Sequence, residues 1–194
     1  GGDGKVTSTV RYPKVVQSLF HPNGLHILTV HEDNSLCFWD CNSGKLILAR
    51  SLYETGVNIP TGMTTPQPAN LSASIVSVHW ICAENPEYTQ LLIAGGDLGS
   101  DKPISLTLID LGGTPLYSVT SYEKMAKFYS IRSNQRIVPM PQHRSVAKVL
   151  PVPRASPFFN GCHNPGIVLI LLDNGEIETM LFPSGKITYK ASLL

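Results

Sequence analysis

The chain has 194 residues, 42% of them apolar, enough to bury a core of ordinary size and to exclude an intrinsically disordered segment. Charged residues make up 15%, while 16 Gly and 15 Pro supply frequent turns, a composition expected of many short strands. Fifteen Lys and Arg against fourteen Asp and Glu give a net charge of +1, so the chain carries no overall bias toward nucleic acid and a DNA-binding domain is not expected.

The longest apolar run, Ile167 to Leu172, is six residues, far below the roughly 20 of a membrane-spanning helix. Gly1 to Lys5 contain no initiator Met and no basic-then-apolar signal, and Ala191 to Leu194 read as a strand cut short, so an excised fragment is expected. Cys37, Cys41, Cys82 and Cys162 are too sparse for a disulfide scaffold and form no Cys-x-x-Cys pair, which suits reduced thiols in the cytosol. The triplet Asn70-Leu71-Ser72 has the glycosylation pattern, at a frequency that chance supplies.

From residue 15 to 53 four β-prone runs alternate with turn residues, and no helical period is present. Val15–Phe20 meets His21-Pro22-Asn23-Gly24, and His26–Val30 meets Glu32-Asp33-Asn34. Ser35–Asp40 then meets Asn42-Ser43-Gly44, and Lys45–Arg50 closes a four-stranded antiparallel meander. The pattern returns over 74–122, with strands expected at Ile75–Trp80, Leu91–Ala94, Ile104–Asp110 and Leu116–Val119. It returns again over 145–190, with strands at Val146–Val152, Ile167–Leu172, Ile177–Phe182 and Lys186–Tyr189. The insertions Thr55–Ala73 and Ser121–Arg144 lengthen the repeats, and within the second Tyr122–Tyr129 is expected to form two helical turns with Met125, Phe128 and Tyr129 on one face.

Phe20-x-Pro22-x-Gly24, Thr29, Asp33 and Trp39-Asp40 match a WD-repeat blade in order and spacing. In such a blade the strand Thr, the turn Asp and the Trp indole share buried hydrogen bonds, so Thr29, Asp33, Trp39 and Asp40 are the expected structural network. The His that usually completes it, in a Gly-His pair ahead of the first strand, is replaced by Tyr12-Pro13-Lys14, so the network is expected to be partial. The later repeats keep only Ile109-Asp110 and Phe182-Pro183 in place of Trp-Asp. The fold class is therefore all-β: about three degenerate four-stranded antiparallel blades of a WD40-like β-propeller. Propellers close with four to eight blades, so three belong to a larger ring.

Catalytic and cofactor signals are weak. Cys162-His163 are adjacent and diverge, and Cys37 and Cys41 have no His at zinc spacing, so no metal is expected. No nucleophile elbow, Walker loop or Rossmann glycine pattern occurs, and Gly95-Gly96-Asp97-Leu98-Gly99 leads into Pro103 rather than a helix; no cofactor and no enzyme activity are expected. Glu176 and Glu178 share one strand face, read as solvated rather than catalytic. Charge is unevenly placed. Residues 124 to 172 carry Lys124, Lys127, Arg132, Arg136, Arg144, Lys148 and Arg154 with no Asp or Glu. Lys124, Lys127, Arg132 and Arg136 are the candidate partner-binding residues, for an acidic protein or an anionic membrane; the other reading is a loop balanced by acids elsewhere in a longer parent.

The stretch from Val6 through Pro22 to Trp39-Asp40 resembles the fungal, Sro-type exocytosis branch of the lethal giant larvae family, relatives of tomosyn. So do Asn85–Thr89, Gly161–Gly166 and Asn174–Met180. The resemblance implies a non-enzymatic cytosolic scaffold of two tandem propellers, this chain being part of the first. It further implies binding to a SNAP-type plasma-membrane t-SNARE, a GTP-bound secretory Rab GTPase and an exocyst subunit. It implies docking and fusion of secretory vesicles in polarised growth, with peripheral placement at the plasma membrane. No residue here matches a known partner contact. An adaptor in another WD-repeat complex, or an enzyme whose site lies in other blades, are the alternatives left by the residues alone.

Overall fold

Short β-prone runs punctuated by Asn, Asp and Gly turns build three four-stranded antiparallel sheets in the computed structural model, which describes residues 13–53, 72–154 and 163–192. The first blade is β1 (Val15–Phe20), β2 (His26–His31), β3 (Leu36–Asp40) and β4 (Leu46–Arg50), in that spatial order. The second is β5 (Ser77–Cys82), β6 (Tyr88–Ala94), β7 (Ser105–Gly113) and β8 (Gln135–Pro139). The third is β9 (Val146–Pro153), β10 (Pro165–Leu172), β11 (Glu176–Leu181) and β12 (Ile187–Ser192). The expected insertion 55–73 and the matched stretches Val6–Tyr12 and Gly161–Cys162 fall almost wholly outside the described residues.

The second blade departs from the expected boundaries of 74–122. Leu116–Val119 is not its fourth strand: Tyr117–Val119 forms a single 3-10 turn, and the fourth strand is Gln135–Pro139, paired with Ser105–Ile109. The segment 121–144 therefore lies largely inside the blade rather than between blades. The physical reason is that β8 is an outer strand, with Arg136, Ile137 and Pro139 exposed, so its composition reads as a loop. Between β7 and β8 runs α1 (Tyr122–Tyr129), the helix over the expected residues, with Ser121 accepting from the Lys124 amide at its N-cap and Met125 and Tyr129 buried. It packs along β4 and covers the outer edge of the first blade.

Two apolar layers hold the blades together. Leu28, Val30, Leu36 and Phe38 meet Val78, Trp80, Leu91 and Ile93 between the first and second blades, with Met125 and Tyr129 of α1 closing the rim. Ile81, Leu92, Leu106 and Leu108 meet Val149, Val168, Ile170 and Met180 between the second and third. The two-residue period of each strand thus buries both faces of the central blade. Polar clasps cross the same seams. Gln17 donates from Nε2 to the Val78 carbonyl at 2.8 Å and accepts from the Val78 amide at 2.9 Å, acting as one rung of a ladder between β1 and β5. Asn34, at φ 67°, donates to the Ala73 carbonyl and accepts from the Ile75 amide, both at 2.9 Å. Gly95 has φ 90°, and a Cβ there would stand 2.3 Å from the Ser74 carbonyl oxygen, so only glycine lets β6 leave the sheet at this point.

The expected solvated face of β11 is corrected by the register. Glu178 lies opposite Ile170 and two residues from the buried Met180, on the side facing the second blade, and is 1% exposed; Glu176 is half-buried. The strand's acids draw attention to solvent, whereas the partner run Val168, Ile170, Leu172 fixes which face is covered. Among the described residues Glu178 Oε1 has no hydrogen-bond partner.

Candidate interaction surface

The network around Trp39 is a directed chain of hydrogen bonds. Trp39 Nε1 donates to Thr29 Oγ1 at 2.8 Å, and Thr29 Oγ1 meets His31 Nε2 at 2.9 Å. His31 Nδ1 lies 3.0 Å from the Pro13 carbonyl, which can only accept; the proton therefore sits on Nδ1, and Nε2 accepts from the Thr29 hydroxyl. The position of the missing Gly-His histidine is thus served from within β2, by a residue that sequence reading passed over. Asp33 is corrected: it is exposed and accepts from the Ser35 amide at 2.9 Å, closing its own turn rather than facing the indole. Trp39→Phe, which keeps an aromatic ring and removes the donor, should cost at least about 1 kcal/mol, and Asp33→Ala about 1 kcal/mol. Because the two share no partner, the double variant should equal the sum within about 0.5 kcal/mol in denaturant melts. A larger coupling would return Asp33 to the indole network.

Asp40, grouped with that network in the sequence, does different work. Its buried carboxylate accepts from Tyr122 Oη at 2.6 Å, from Ser43 Oγ at 2.9 Å, and from Tyr117 Oη and the Asn42 amide, both at 3.1 Å. Burial pushes the carboxyl up, and the bonds from Tyr122, Ser43, Asn42 and Tyr117 together outweigh it and hold the carboxyl below its ordinary value. Asp40 thereby anchors both ends of the turn that precedes α1 to the end of β3. Beside it a cavity of about 210 Å³ is lined by His26, Ile47, Ser118, Thr120, Ser121 and Met125, among others. Tyr129 continues the attachment inside: its ring stacks on Phe38 at 4.1 Å, Trp80 meets it edge-on, and His26 Nδ1 lies 2.6 Å from its hydroxyl.

The far end of α1 is held by Arg50, a residue with no sequence signal beyond its place at the end of β4. It is 1% exposed, and its guanidinium donates to the carbonyls of Ser51, Tyr129 and Ile131 and to Gln135 Oε1. Burial, then the charge of Arg132, lowers it to about 10, which leaves it protonated at neutral pH. Arg50 therefore caps the last carbonyl of α1, that of Tyr129, and through Ile131 and Gln135 fixes the entry to β8 in one step.

The four candidate cations do not form one equivalent set. Lys124 and Lys127 are exposed on α1, and Arg132 is exposed in the turn that follows. Arg136 is corrected in part: it donates to the carbonyls of Pro183 at 2.5 Å and Ser184 at 2.6 Å, so it clamps the second blade to a turn of the third. Among the described residues, no group of three or more His, Cys, Asp or Glu could hold a metal ion, and no helix is long and apolar enough to cross a membrane.

No family model matches the chain. Over 184 residues, 94% of its length, it is 50% identical to the lethal(2) giant larvae protein homolog SRO77 of Saccharomyces cerevisiae. Over 179 residues, 92% of its length, it is 26% identical to an uncharacterized protein of Schizosaccharomyces pombe. It spans 18% of the length of each of these relatives. Among solved structures it superposes on U3-55K with a TM-score of 0.51 and on the RRP9 WD40 repeats with 0.50. Both are 9% identical, and 94% of this chain is matched to 40% and 39% of theirs. At that identity the likeness concerns fold alone, and it agrees with three antiparallel blades of a WD-repeat propeller. Along 94% of its length the chain is thus similar to one segment of a lethal giant larvae homologue, and it folds as three antiparallel blades of a WD-repeat propeller.

Proposed function

We propose that this chain is part of a non-catalytic WD-repeat scaffold that serves the docking and fusion of secretory vesicles, holding a SNAP-type t-SNARE, a GTP-bound secretory Rab GTPase and an exocyst subunit. Its place would be the cytosol, peripheral to the plasma membrane. The observation that carries this reading is the 50% identity to a lethal giant larvae homologue along 94% of the chain. The geometry is of a kind that suits it. His31 and Trp39 are spent on tying strands within the first blade, and Asp40 and Arg50 on fastening the insert to it, which suits a rigid platform rather than a reaction centre. The exposed Lys124, Lys127 and Arg132 supply a cationic stripe for an acidic partner.

The test is a binding assay of the full-length protein with purified t-SNARE and with the Rab loaded with GTP or GDP. Binding of both, the Rab in its GTP form only, is expected; failure to bind either would overturn the scaffold reading. Lys124→Glu, Lys127→Glu and Arg132→Glu together should weaken at least one of these complexes about tenfold. The loss should shrink as salt rises, because exposed charges are screened over about 8 Å at physiological ionic strength. Arg136 is left unchanged in this variant because its substitution would loosen the second and third blades.

A further inference from the structure

Both seams between blades use the same two positions of the inner strands, and in the first blade one of those positions has no counterpart. Phe20 pairs with Ile27 and Cys82 with Thr89 at the first hairpin of their blades, and Pro153 takes the corresponding place opposite Pro165. Counted back from those residues, Gln17, His79 and Leu150 are equivalent, and so are Val16, Val78 and Val149. Gln17 bonds to both the carbonyl and the amide of Val78 in the second blade, and His79 hydrogen-bonds the Val149 main chain in the third. Val78 and Val149 are buried in the two apolar layers, at 0% and 3% exposure. Val16 is 55% exposed and, lying where the register with β2 shifts, has no partner in it. Leu150 carries no polar atom, so a clasp does not come with every blade. At Val16 it is required, because an amide and a carbonyl outside the ladder must find partners once they are covered.

The rest of that face has the character of a seam. Strand alternation puts Val16 and Phe20 on the side of β1 opposite Gln17 and Leu19, which turn toward the second blade. Phe20 stands opposite Ile27, and Ile27 opposite Trp39, so an apolar row crosses three strands on the side away from the second blade. Ser18 and Thr29, paired on the same side, are uncharged. The repeat indicates the occupant. Blades dock face to face twice within this chain, each time through an apolar layer with a polar contact from inner strand to inner strand. The chain spans 18% of the length of its relatives, which leaves ample polypeptide for further blades.

We propose that a further blade of the same polypeptide packs on this face, and that its inner strand presents a carboxamide or imidazole side chain, at the position of Gln17 and His79, to the Val16 main chain. The full-length protein is measured by amide hydrogen exchange resolved to single residues, and by photo-crosslinking from p-benzoylphenylalanine in place of Phe20. The Val16 amide is expected to exchange at least about tenfold more slowly than an unprotected amide. The photoadduct is expected to join position 20 to a peptide of the same molecule outside residues 1–194. Replacing the Gln, Asn or His of that peptide by Leu should speed exchange at Val16 about tenfold, as Gln17→Leu should at Val78. Fast exchange at Val16, an adduct to a second molecule, an adduct confined to residues 1–194, no adduct from a folded variant, or a crosslinked strand without Gln, Asn or His would each overturn the assignment. Should the photoreactive variant not fold, exchange at Val16 in the unmodified protein decides the matter.

Discussion

Arg50→Met is expected to destabilise the protein by about 3 kcal/mol or more, and to do so from a position with no exposed surface. The guanidinium satisfies three backbone carbonyls and Gln135 Oε1, and a thioether satisfies none of them. Each buried acceptor left without a donor costs about 1–3 kcal/mol, and those of Tyr129 and Ile131 lie at the end of a helix where no further turn can take over. Arg50→Lys should recover less than half of the loss, since one ammonium cannot span oxygens arranged around a planar fork. The damage should be local first. Amides of α1 and β8 should exchange with solvent faster by hydrogen-exchange measurement, while those of β9–β12 stay protected. A neutral Arg50→Met, or loss spread evenly over all three blades, would show that the insert is not fastened through this residue.

The contrast between Arg50 and Trp39 explains what could be read from the sequence. Strands β1–β4 are legible because each is a short β-prone run set between Asn, Asp or Gly turns, and because Trp39-Asp40 marks the third strand of a blade. Helix α1 was legible from its period. Strand β8 was not, because an outer strand with exposed Arg136, Ile137 and Pro139 carries no alternation to separate it from a loop. The attachment of the insert was hidden for another reason. Asp40 lies 77 and 82 residues from Tyr117 and Tyr122, and Arg50 lies 79 residues from Tyr129, so nothing in local spacing joins them. As the Asp of Trp-Asp, Asp40 reads as part of the indole network, whereas its donors are Asn42 and Ser43 of the following turn and Tyr117 and Tyr122 of the insert. Lys124 and Lys127 were visible as charge, but whether a cation is free, as they are, or spent on carbonyls, as Arg136 is, depends on which turn it meets.

Acid should weaken the seam between the first two blades well before carboxylates titrate, with His21 the main cause. Its Nδ1 accepts from the Asn23 amide at 2.9 Å, so the proton of the neutral ring lies on Nε2, which donates to Thr114 Oγ1 at 2.9 Å. Thr114 passes its own proton to the Glu87 carbonyl at 2.8 Å, fixing that direction. A second proton could enter only at Nδ1, against an amide hydrogen, in a site 1% exposed with the ring centre 4.8 Å from that of Trp80. Burial, then the nearby His26, lowers His21 from 6.5 to about 3. The unfolded chain therefore binds a proton near pH 6.5 that the folded chain refuses until about pH 3, and stability falls as pH drops through that window. At about 1.36 kcal/mol per unit, His21 alone accounts for about 2 kcal/mol lost between pH 7 and pH 5. His26 and His79, both lowered first by burial, add to the same slope. Asp40 does not: its carboxyl is held below its ordinary value, so its contribution is lost only in stronger acid. His21→Asn keeps an acceptor for the Asn23 amide and cannot titrate. It should lower stability at pH 7 through the lost Thr114 bond, yet flatten the dependence between pH 7 and pH 5 in denaturant melts. If the variant keeps the parent's full slope, the acid sensitivity resides elsewhere and the assigned tautomer has no energetic consequence.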